Sequence, residues 1–242
     1  MLLVNHLFAA NPFIDAYIQS DILGKLIFIS LVILSVCSWV ILAQKIIIMS
    51  RAKREAAQFY RVFDSQRDLP LAIEVDSLGG NPFRYLFQAL KKHSLEILNK
   101  NRQFGGGKVS YLTPADLDYV ESHLHTTIAM QTRQLEKNLF ILATIISLAP
   151  FLGLLGTVWG ILTTFSEMQA QASGGGTQVV LGGLSLALTT TVLGLVDAIP
   201  ALIGYNYLKN AIREIQTEME CFSIEILTAV ERQYRKVDTH ES

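Results

Sequence analysis

The chain has 242 residues, half of them hydrophobic and only 17% charged, below the roughly 25% of an ordinary soluble domain. Lys and Arg number 20 against 21 Asp and Glu, a net charge of −1. No Lys/Arg cluster with interleaved aromatics occurs, which argues against a nucleic-acid partner. The two cysteines, Cys37 and Cys221, are no disulfide framework and read as small packing residues.

Residues 1–21 carry no Lys or Arg until the first apolar run begins. Asn11-Pro12-Phe13-Ile14 and Tyr17-Ile18 suggest a short helix lying along a membrane surface. The first span is placed at 22–49, with a charge-free stretch at 26–43 framed by Lys25 and Lys45. Without a basic segment before it or a small-residue cleavage site after it, it is not read as a cleaved signal peptide. Strong helix formers and Phe59, Val62 and Phe63 predict that its helix continues through 50–63.

The helical domain 50–138 is punctuated by turn signals at Asp68-Leu69-Pro70 and Gly79-Gly80-Asn81-Pro82. Between them and the linker Gly105-Gly106-Gly107, Phe83, Leu86, Phe87, Leu90 and Leu98 recur at helical spacing. Thr113-Pro114-Ala115-Asp116 is a helix start, with Thr as N-cap and Pro in the first turn. Leu117, Val120, Leu124, Ile128 and Leu135 then form an apolar stripe that runs into the next span. With no Gly or Pro between, 116–165 is predicted to be one long helix.

The second span, 139–165, contains no Asp, Glu, Lys, Arg or His and is long enough to cross a bilayer, which takes about 20 residues. Its middle, 149–161 (APFLGLLGTVWGI), carries glycines, a proline and a threonine that a merely greasy helix would not need. A loop at 166–178 leads to the third span, 179–208, whose one charged residue is Asp197. In the tail 209–242, Ile212, Ile215, Met219, Phe222, Ile226 and Val230 make an amphipathic helix seeking partners. Nothing alternates like a strand. The expected fold class is an all-α membrane protein of three spans, the second and third extended beyond the membrane as long helices.

Basic residues flank each crossing on one side only. They are Lys45, Arg51, Lys53 and Arg54 after the first span, Arg133 and Lys137 before the second, and Lys209 and Arg213 after the third. The positive-inside rule then puts the N-terminus and 166–178 outside, and 50–138 and 209–242 in the cytoplasm.

On the second span Gly153, Thr157, Gly160 and Thr164 share a helical face, with Gly156 beside it. Gly156-x-x-x-Gly160 is the small-xxx-small spacing that lets helices approach closely. Gly183 and Gly194 are the corresponding packing glycines of the third span. A threonine on such a face either bonds back to its own helix or faces a wet pore, and Thr157 is open to both readings. The third span offers Ser185, Thr189, Thr190, Thr191 and Asp197. A carboxylate within a span marks an ion path or interhelical pairing by default; the other reading puts Asp197 in the interfacial region. Thr157, Thr190, Thr191 and Asp197 are the candidate ion-path residues. No metal or cofactor is expected: His123 and His125 lack further ligands, and no phosphate loop or nucleophile elbow occurs.

The segments APFLGLLGTVWGI (149–161) and GLVDAIPALIGYN (194–206) resemble the paired membrane signatures of the ExbB/TolQ proteins, relatives of the flagellar stator protein MotA. Three spans rather than four favour the ExbB/TolQ branch. The resemblance implies a non-enzymatic subunit of an inner-membrane motor. Several copies, typically about five, would ring two single-span partners of the ExbD/TolR type. Proton flow would then energise a TonB- or TolA-like protein acting at the outer membrane. It also implies pore roles for Thr157 and Thr191. Two departures stand out: Leu186 occupies a position where many members carry glutamate, and Asp197 stands where a small residue is usual. Because Asp197 is the only acid within the spans, the principal proton-carrying group is expected from the partner. A non-conducting oligomeric scaffold for envelope proteins is the alternative.

Overall fold

The computed structural model describes residues 17–18, 20–65, 71, 81–104, 111–170 and 176–234. Five helices carry them: α1 (Ile22–Ser65), α2 (Pro82–Phe104), α3 (Pro114–Glu136), α4 (Leu139–Ala170) and α5 (Gly176–Tyr234). No strand occurs among the described residues beyond a single bridging residue, Leu112, whose N–H donates to Tyr234 O over 2.9 Å. Three helical stretches are long and apolar enough to cross a membrane: Ile22–Ala57, Pro114–Gln169 and Gly183–Tyr234.

The first three helices start where the sequence supplies a cap. Asp21 Oδ1 accepts from Gly24 N at 2.9 Å, and Asn81 Oδ1 accepts from Phe83 N at 3.1 Å ahead of Pro82. Thr113 and Asp116 form a reciprocal capping box in front of α3. Burial works to raise the Asp116 carboxyl, but hydrogen bonds from the Thr113 N–H and hydroxyl and from Asn101 outweigh it and hold the group below its ordinary value.

One sequence expectation is corrected. Residues 116–165 are not a single helix, because Lys137 and Asn138 form a turn between α3 and α4. Asn138 adopts φ 70°, the left-handed region, and its carbonyl accepts from Ile141 N as α4 begins. Asparagine is one of the few non-glycine residues that visits this region readily, so the break needed neither Gly nor Pro. Conversely, Pro150 and Pro200 lie inside α4 and α5 without ending them. The cysteine expectation also changes: Cys37 and Cys221 are free and exposed, and neither packs in the core. The turn signals at 68–70 and 79–80, the Gly105–107 linker and residues 11–14 lie outside the described residues, although Tyr17 and Ile18 are helical.

The chain divides into two units. One comprises Ile46–Lys137 and Leu208–Ser242. Its core is aromatic, with the Phe222 ring centroid 5.1 Å from Tyr60, 5.4 Å from Phe63 and 5.8 Å from Phe83. Ile215, Met219, Ile226 and Val230 of α5 extend it, all fully buried. The Tyr60 hydroxyl donates to Glu218 O over 3.2 Å, and burial, then the Glu218 and Glu225 carboxylates, push its pKa up to about 12. On α2 and α3 the imidazoles of His93 and His123 stack at 4.1 Å, with Tyr119 edge-on to both.

The other unit comprises Met1–Lys45 and Asn138–Tyr207. Ile27 and Leu31 of α1, Ile145 and Ala149 of α4, and Ala198 of α5 form its buried cluster, flanked by Leu34, Ile141, Leu152 and Leu193. Outward, this unit presents large apolar side chains such as Ile33, Val36, Phe140, Phe151, Val158 and Ile203. A water-soluble surface would not show so continuous an apolar face.

Candidate functional site

In the apolar unit α4 and α5 approach closely, and the cause is the absence of side chains. A Cβ on Gly194 would stand 2.5 Å from Ala149 O, and one on Gly153 would stand 3.0 Å from Thr190 O and from Thr191 Cα. A Cβ on Gly160 would stand 2.8 Å from Gly183 O, and Gly183 itself faces the Thr164 hydroxyl. Gly156 lies against the Thr190 side chain. Five glycines singled out in the sequence thus lie along one seam, where small residues let two backbones meet.

Hydroxyls stitch the same seam. Thr191 Oγ1 donates to Gly153 O across the two helices over 3.1 Å. Thr190 is fully buried, and its hydroxyl lies 3.0 Å from Ala187 O and 3.5 Å from Gly153 O. Thr164 Oγ1 donates to Gly160 O at 2.7 Å. The bonds to Gly153 O are among the few attractions available between helices where the surroundings are as apolar as the helices themselves, whereas those of Thr164 to Gly160 O and Thr190 to Ala187 O stay within one helix.

Thr157 behaves differently. Its hydroxyl donates to Leu154 O of its own helix at 2.6 Å, and its side chain is half-exposed at the edge of the seam. The buried α4 row is Gly153, Gly156, Gly160 and Thr164. The face read from the sequence is therefore rotated slightly, so that Thr157 looks outward rather than into α5. Exposed Leu154, Val158 and Ile161 surround it.

Asp197 does not join the threonines. It is 5% exposed, and neither carboxylate oxygen reaches a hydrogen-bond partner. The Ser35 hydroxyl of α1 stands near enough to act on it. Directly after it Ala198 joins the cluster of Ile27 and Leu31, and two turns on Gly204 packs against Leu42, all three partners on α1. The carboxylate faces the first helix from within the chain, not the Thr157 edge.

Sequence reading missed a further pair. Trp159 Nε1 donates to Asp21 Oδ2 over 2.8 Å, joining α4 to the cap of α1. The available signal was an Asp directly before an apolar helix, which reads as an N-cap and does not announce its second bond. Leu186 lies in helical backbone, and its side chain is outside the described residues. Among the described residues, no three His, Cys, Asp or Glu side chains come together as a metal site.

Three apolar helical stretches, a glycine seam closed by hydroxyls and one buried carboxylate define a helical membrane protein. Residues 88–221 match the MotA/TolQ/ExbB proton channel family. Along 91% of its length the chain is 30% identical to the Tol-Pal system protein TolQ of Haemophilus influenzae, covering 94% of that protein. It is also 30% identical to the biopolymer transport protein ExbB of Pseudomonas putida, over 89% of this chain and 62% of that one. The TolQ of Pseudomonas aeruginosa is 31% identical over 78% of this chain and 79% of its own length. The chain belongs to the MotA/TolQ/ExbB proton channel family, in its TolQ/ExbB part.

Proposed function

We propose that the chain is the ring-forming, proton-conducting subunit of an inner-membrane motor. Copies of it surround ExbD/TolR-like single-span partners, and proton flow energises a TonB- or TolA-like protein acting at the outer membrane. The observation that carries this reading is the position of Thr157. It is a hydroxyl turned outward among apolar side chains, on a helix locked to α5 by the glycine seam. A polar group so placed suits a bore formed between copies of the chain, with Thr191 at the seam one turn away, against Gly153. The one-sided distribution of Lys and Arg supports an N-terminus outside the cytoplasm, spans at 22–49, 139–165 and 179–208, and a cytoplasmic helical domain and tail. The Tol-Pal and biopolymer-transport relatives support the motor role.

Thr157→Val removes the hydroxyl at nearly constant volume. The expected outcome is a complex assembled at the normal level that no longer conducts protons in vesicles and no longer supports envelope integrity or energised uptake. Normal flux in that variant removes the threonine from the path. Normal envelope function with no flux in either form favours the non-conducting scaffold.

A further inference from the structure

The buried carboxylate of Asp197 stands apart from the Thr157 and Thr191 hydroxyls. It lies six residues beyond Thr191, hence about 9 Å further along α5 and about 120° around it. Its environment comes from three helices. α4 contributes no acidic or basic side chain between 139 and 165. α5 contributes none in 179–208 besides Asp197, its tyrosines Tyr205 and Tyr207 lying two turns or more away. α1 contributes Ser35, with exposed Cys37 two residues on and buried Ser38 one turn on; its nearest cations, Lys25 and Lys45, each lie ten residues from Ser35, or about 15 Å along the helix. Both carboxylate oxygens lack a hydrogen-bond partner at 5% exposure.

An unpaired negative charge inside a span costs several kcal/mol. What relieves that cost is positive, and a small group suits the place best, because Ala198 and Gly204 bring α5 against α1 beside it and two turns on. A proton needs no cage of ligands. A sodium ion takes several oxygen ligands, and here the Asp197 carboxylate and the Ser35 hydroxyl are the ones in evidence.

We propose that Asp197, with Ser35, forms a proton-binding site inside each subunit, separate from the Thr157 and Thr191 hydroxyls. This rests on the reading of the chain as a membrane proton-channel subunit. With the proton bound, the carboxyl is neutral and α1 stays closed on α5. With the proton gone, the charge draws water between them, so occupancy sets how tightly the first helix packs.

The test is pH-difference infrared spectroscopy of the full chain, assembled with its partners in lipid. Expected is a carbonyl band of a protonated carboxyl that disappears as pH rises, is absent from D197N and is displaced in D197E, which covers the case in which D197N does not assemble. Sodium at fixed pH leaves the band unchanged, and Ser35→Ala shifts its midpoint. No Asp197-dependent band at any pH overturns the proposal. So does a band that sodium abolishes, which makes the site one for metal cations. An unmoved midpoint in Ser35→Ala removes Ser35 from the site. The band is read without any flux, so a failure here is distinct from normal conduction in Thr157→Val, which overturns the pore reading instead.

Discussion

The indole Nε1–H of Trp159 donates to Oδ2 of Asp21 over 2.8 Å, while Oδ1 of the same carboxylate accepts from Gly24 N at 2.9 Å. One side chain therefore caps the first apolar helix and fastens it to the second. Trp159→Phe keeps the ring and loses the bond, for about 1 kcal/mol at an exposed site. Asp21→Ala loses bond and cap together, and the cap alone is worth about 1 kcal/mol. The expected order of thermal stability in detergent is wild type, then Trp159→Phe, then Asp21→Ala, with the double variant no worse than Asp21→Ala. A Trp159→Phe protein as stable as wild type contradicts the account.

The glycine seam makes a reciprocal prediction. A Cβ on Gly156 would stand 2.6 Å from Thr190 Cβ and 3.0 Å from its Cγ2. Gly156→Ala should therefore cost about 1–3 kcal/mol, as overpacked cores do, and lower the yield of assembled protein. Adding Thr190→Gly clears the space and should recover part of that loss, a coupling of about 0.5–3 kcal/mol. Independent, additive effects in a double-mutant cycle exclude the contact as the cause.

At Asn138 the backbone, not the side chain, sets the expectation. With φ at 70°, Asn138→Gly should be neutral, whereas a β-branched residue is strained there by about 1–3 kcal/mol. Asn138→Val should unfold earlier on heating than Asn138→Gly. Equal midpoints for the two variants refute the assignment of a left-handed turn.

The stacked histidines give a pH dependence with a definite sign. Burial, then the His123 ring and Lys92, hold His93 below its ordinary value of 6.5. The unfolded chain thus binds the proton more readily than the folded one. The stabilisation is complete above the unfolded value and is lost as pH falls below 6.5 through the lowered folded value. Denaturation midpoints followed from neutral to mildly acidic pH should fall, and fall less in His93→Phe. The same slope in both proteins rules out His93 as its source.

Much of this molecule could be read directly from residues. Thr113 announced its N-cap, and the stripe from Ile212 to Val230 announced a buried face, because both signals are local. The spans were legible from length and charge alone. What could not be read was rotation: a helix wheel places Gly153 and Thr157 together without saying which of them meets α5. Thr157 lies at the edge of the seam because three helices, not one, decide which sector is covered. The same holds for Asp197, whose facing of α1 depends on how the first helix leans on the third. The turn at Asn138 was hidden for another reason, since asparagine is a permissive residue rather than an obligatory breaker.

A threonine hydroxyl has one hydrogen to give and two lone pairs to offer. Thr157 commits its hydrogen to Leu154 O, and Thr191 commits its own to Gly153 O. Any water that reaches either oxygen finds only an acceptor there and must turn a hydrogen towards it. In the proposed bore, two such oxygens would give a file of water a fixed polarity, with hydrogens pointing at the wall. Such a lining would welcome a hydronium ion and turn away chloride. The helix carbonyls, by taking those two hydrogens, would then write the sign of the permeant charge into the backbone itself.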